Sequence, residues 1–78
     1  MPVVIRFGRF KFYIYPKDHC PPHVHIVAQG HEAKIAIQSG QCLAVYGFKP
    51  KVVKILSEVV IKNKDLLMEA WNNYEGEK

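Results

Sequence analysis

Three of the chain's four histidines, one of its two cysteines and two of its five prolines fall within Asp18-His19-Cys20-Pro21-Pro22-His23-Val24-His25-Ile26. Imidazole is the side chain suited to moving protons at neutral pH, and two imidazoles side by side can serve as acid and base. Consecutive prolines fix φ and remove two N–H donors, so the chain arrives at His23 extended and outside a ladder. From there, His23-Val24-His25-Ile26-Val27 follows the strand period of two. That puts His23 and His25 on one face and Val24 and Ile26 on the other. Such a pair can take the proton of a ribose 2′-hydroxyl and return one to the leaving oxygen.

Phosphate chemistry also needs cations, and Lys11 and Lys34, with Arg6 near them, are expected on the histidine face. Tyr13 and Tyr15 interleave with Lys11, a pattern that stacks bases while lysine neutralises phosphate. The expected site is therefore His23 and His25 as a catalytic pair, with Lys11, Tyr13, Tyr15 and Lys34 contacting nucleic acid. The plain alternative is architectural. The rings would pack beside the tyrosines and bond locally, in cross-strand pairs that each stabilise a sheet by about 0.2–1 kcal/mol.

A metal is not expected. Two histidines at i, i+2 can share an ion, and His19, Cys20, His31 and Glu32 are near in sequence. None of the paired spacings that define a ligand set, such as C-x₂-C or H-E-x-x-H, is present. Any ribonuclease activity would then be metal-independent, and no cofactor is implied. Cys20 and Cys42 have no C-x-x-C partner and make no disulfide framework, so neither a redox nor a nucleophilic role is expected of them.

The elements that must position these residues read as one domain, 1–78, since 78 residues leave no room for a second core. With 49% of residues hydrophobic, a globular core is available. No apolar run approaches the roughly 20 residues of a membrane helix, and no secretory signal is read, so the cytoplasm is expected. Eleven Lys+Arg against seven Asp+Glu give a net charge of +4. With a pI of about 9.2, this suits nucleic acid or an acidic partner protein.

Pro2–Phe7 and Phe10–Tyr15 read as a hairpin about Gly8-Arg9, with Phe10, Phe12 and Ile14 turned inward. His23–Gln29 and Glu32–Gln38 read as a second hairpin turning at Gly30-His31, with Ala33, Ile35 and Ile37 on the core face. Gln41–Val45 is either a short strand or an irregular connection. Pro50 suits the first turn of a helix, and Val52, Val53, Leu56, Val59 and Val60 form its apolar stripe. A polar interruption at Lys62–Asp65, where Asn63 or Asp65 can cap, leaves open one kinked helix or two. Leu67, Ala70, Trp71 and Tyr74 share a face in the last segment. The expected fold is α+β: an antiparallel sheet of about four strands in two hairpins, with the C-terminal helices packed on one face. Trp71 and Tyr74 are the expected partner interface, should their rings be exposed. Lys49, Lys51, Lys54, Lys62 and Lys64 make the helices basic.

Pro21-Pro22-His23-Val24-His25, Gly8, Glu32-Ala33-Lys34, Gly47-Phe48 and Leu66-Leu67-Met68-Glu69-Ala70-Trp71 occur in an order that resembles the small bacterial domain-of-unknown-function family 4160. The resemblance spans nearly the whole chain. It implies a stand-alone prokaryotic protein of toxin–antitoxin type, encoded beside a second small protein that would be its partner. It assigns no catalytic residue. The expected function is a component acting on RNA through His23 and His25. The alternative is a non-enzymatic module, binding protein or DNA through its basic helices, as a homodimer or with its neighbour.

Overall fold

The computed structural model describes residues 3–14 and 21–76, those from 74 onward as backbone only. The described strands are β1 (Val3–Phe7), β2 (Phe10–Tyr13), β3 (His23–Ala28), β4 (His31–Ala36) and β5 (Cys42–Tyr46). Two helices follow, α1 (Pro50–Lys62) and α2 (Lys64–Gly76). The sheet is an antiparallel meander in chain order, β1-β2-β3-β4-β5.

The α+β class is as expected, but the sheet has five strands rather than about four. The additional one is β5, an edge strand whose Leu43 and Val45 are both about 40% exposed. Its residues Cys42-Leu43-Ala44-Val45-Tyr46 are apolar on both faces, so the alternation that marks a half-buried strand is missing. Pairing with β4 makes it a strand, through a register shift between Lys34 and Ile35.

The second hairpin turns one residue earlier than expected. Gln29 (φ 51°) and Gly30 (φ 80°) are both left-handed, the backbone a two-residue type I′ turn requires. His31 therefore heads β4 opposite Ala28.

The helical segment is two helices. At the break, Asn63 turns its side-chain amide back to the Val59 carbonyl at 2.8 Å, while its own carbonyl accepts the Leu67 N–H at 2.9 Å. One residue thus closes α1 and opens α2.

Phe12, Ile14, Val24, Ile26, Ile35 and Ile37 form the sheet's share of the core, against Leu56 and Val60 of α1 and Leu67 and Trp71 of α2. Each fully buried side chain of this size contributes about 1.5–3 kcal/mol. In the centre of the sheet, β3 is buried at every position except Val27, which is half-buried. The face expected to show both histidines to solvent therefore hides them, with His23 6% and His25 7% exposed.

Candidate functional site: an anchored histidine pair on the sheet

Pro22 ends the rigid entry with its carbonyl accepting the Ile37 N–H at 3.0 Å, which ties the start of β3 to the end of β4. One residue earlier, the Pro21 carbonyl accepts the Nδ1–H of His23 at 2.8 Å. A carbonyl can only accept, so this bond puts the proton of a neutral His23 ring on Nδ1 and the lone pair on Nε2. His25 is held in the same sense, its Nδ1–H donating to the Glu32 carboxylate at 3.2 Å. The two rings meet edge to face, with centroids 5.1 Å apart and planes at 65°. The Trp71 indole closes over His23 at 5.4 Å and 55°.

The strand register completes the site. Tyr13 pairs with His25 across β2 and β3, and His25 pairs with Lys34 across β3 and β4. Paired residues share a face, so Tyr13, His25 and Lys34 form one row. The next row holds Lys11, Val27 and Glu32. Lys11 is exposed, while Tyr13, Lys34 and Glu32 are half-buried. Of the residues expected to contact nucleic acid, Lys11, Tyr13 and Lys34 thus share the histidine face. Tyr15, His19 and Cys20 lie outside the described residues.

Glu32 is the residue whose part the sequence hid. A turn at Gly30-His31 would set it opposite Gln29. The observed turn pairs it with Val27, diagonal to His25 and within reach of the ring. The signal was the Gln-Gly dipeptide, because glycine at the second position of a two-residue turn favours this hairpin geometry.

His31 stands apart from the pair, on the opposite face with Ala33 and Ile35. No group of three or more metal-ligating side chains comes together among the described residues. The Cys42 thiol is half-buried and donates weakly to the Ala44 carbonyl at 3.4 Å. Trp71, expected at a partner surface, is turned inward and 3% exposed. The side chain of Tyr74 lies outside the description. Lys49, Lys51, Lys54, Lys62 and Lys64 are all exposed along the helices. No described helix is long and apolar enough to cross a membrane.

Fold and site together define a small α+β protein with a five-stranded meander, two covering helices and a His-x-His pair on its central strand. The chain belongs to the family described as Domain of unknown function (DUF4160), which it matches over residues 9–72. That span runs from the β1–β2 turn into α2 and includes the whole anchored pair. No curated protein matches the chain, and neither does any solved structure.

Proposed function

We propose that this protein acts on RNA through the histidine face of its sheet, as a component of toxin–antitoxin type. The observation that carries this reading is the cross-strand row Tyr13–His25–Lys34, with the anchored His23 ring against His25. Nδ1–H bonds to a carbonyl and a carboxylate hold imidazoles in one tautomer and orientation, as proton-transferring histidines require. In the proposed step, one neutral imidazole takes the 2′-hydroxyl proton as the 2′-oxygen bonds to phosphorus. The P–O5′ bond breaks, and the other imidazole, protonated, gives its proton to the departing 5′-oxygen. Lys11 and Lys34 neutralise the phosphate, and Tyr13 offers a ring to a base.

The test is cleavage of total cellular RNA by purified protein, with His23→Ala and His25→Ala alongside and each variant checked for folding. Each substitution is expected to lower turnover by about 10²–10⁴-fold, while Lys11→Ala weakens binding and reduces its salt slope by about one. Equal cleavage by all the proteins would remove the pair from the chemistry. Expression is expected to arrest growth, with relief by the product of a neighbouring gene.

One observation favours a second reading, in which the protein binds without catalysing. Both imidazoles are less than a tenth exposed, and His23 lies under Trp71. On that reading the rings hold the sheet together, and the exposed lysines of α1 and α2 meet an acidic partner or DNA. RNA left intact by the wild type, together with salt-sensitive DNA or partner binding lost on Lys51→Ala and Lys54→Ala, would select it.

A further inference from the structure

The turn end of the β3–β4 hairpin carries a second arrangement, on the helix side of the sheet and away from the His23/His25 face. A cavity of about 640 Å³ opens there between the β1–β2 turn, the start of β4 and the loop into α1. Arg9, His31 and Lys49 line it with Phe10, Phe48 and Gln29, and no carboxylate is among its lining residues. Arg9 and Lys49 are exposed and make no ion pair among the described residues. The first turn of α1 adds no acidic side chain.

His31 is fixed in this wall by packing. Its ring meets Phe48 edge to face, centroids 5.5 Å apart at 71°, and its other neighbour is the bare backbone of Gly47. A Cβ on Gly47 would overlap the His31 ring, and φ of +97° at that position independently disfavours any side chain. Phe10 and Phe48 stand 5.7 Å apart at 56°, so the aromatic wall is continuous from β2 to the helix entry.

We propose that this cavity binds a nucleotide, its base against the Phe10–Phe48 wall and its phosphate between Arg9 and Lys49. Aromatic faces stack any base, and a guanidinium and an ammonium lining one cavity match the charge of a phosphate dianion. The Gln29 carboxamide can both donate to and accept from a base edge. The volume lies within the 300–1,000 Å³ typical of small-molecule sites. The ligand can be a free mononucleotide or the phosphorylated end of an RNA strand, which share this chemistry. The cavity and the histidine pair lie on opposite faces of the sheet, so failure of either proposal leaves the other standing.

The test titrates ¹⁵N-labelled protein with AMP, with adenosine, and with a short oligoribonucleotide carrying or lacking a 5′-phosphate. Saturable shifts are expected at Gln29, His31, Gly47 and Phe48 with the phosphorylated ligands. Adenosine should bind at least about tenfold more weakly than AMP, as expected when charge-assisted phosphate contacts are lost. Arg9→Ala and Lys49→Ala, both at exposed positions that leave the core intact, should each weaken AMP binding by about tenfold. Binding of AMP assigns the site to mononucleotides, and binding of the phosphorylated strand alone assigns it to RNA ends. The proposal is overturned by absence of shifts with both, by equal binding of AMP and adenosine, or by affinity unchanged in both variants.

Discussion

His25 and His31 sit on the same hairpin, yet the fold treats them in opposite ways. His25 lies on the central strand, 7% exposed, with Nδ1 tied to Glu32 and its ring against His23. His31 is at the turn, exposed, with its ring packed against Phe48 and the Gly47 backbone. The first environment sets a tautomer and shields the ring; the second sets an orientation and leaves the ring open to a ligand. Residue type therefore says little about the chemistry available. Position along the hairpin, central strand or turn, and the groups packed against each ring decide it.

The largest test of this contrast is Trp71→Ala. The indole belongs to the core and covers His23, so its loss is expected to cost about 3–5 kcal/mol in chemical denaturation. In a small domain, whose whole stability is about 5–15 kcal/mol, that is a large fraction. The His23 ring signals should move and those of His31 should not. A cost below about 1 kcal/mol would place the indole outside the core.

Gly47→Ala strikes the other end of the hairpin. The left-handed backbone and the overlap with His31 together predict about 1–3 kcal/mol of destabilisation. The His31 and Phe48 resonances should shift while His23 and His25 keep theirs. If nucleotide binding survives this change intact, the placement of His31 is irrelevant to the cavity.

Glu32→Ala sharpens the comparison from the buried side. The carboxylate is 44% exposed while its imidazole partner is 9% exposed, so solvent screening limits the loss to at most about 1 kcal/mol. The informative readout is the ring-nitrogen spectrum of His25, which should lose its single Nδ1–H tautomer as the accepting oxygen disappears. His23, anchored on the Pro21 carbonyl, should retain its own. The smallest effect is expected for Lys34→Ala, within about 0.5 kcal/mol in stability, with RNA affinity and its salt slope lowered.

Much of the architecture was legible because it rests on local periodicity. Alternation at Phe10–Ile14 and Ala33–Ile37 marked the core face, and the i, i+3/i+4 stripe from Val52 to Val60 marked α1. Pro21-Pro22 and the two-residue period set His23 and His25 on one side of a strand before any packing was known. Their order with Gly47-Phe48 and the α2 segment was enough to indicate the family. Tertiary structure decided the rest. β5 lacks a polar half and becomes a strand only by pairing with β4. The one-residue difference in the turn, set by left-handed backbone at Gln29 and Gly30, moved Glu32 beside His25 and His31 onto the helix side. The packing of the buried Trp71 indole over the buried His23 ring depends on a helix approximately fifty residues further along the chain. Periodicity specifies which residues share a face. What covers that face is settled by long-range packing, because a helix such as α2 is stabilised mainly by burying its apolar side against the rest of the fold.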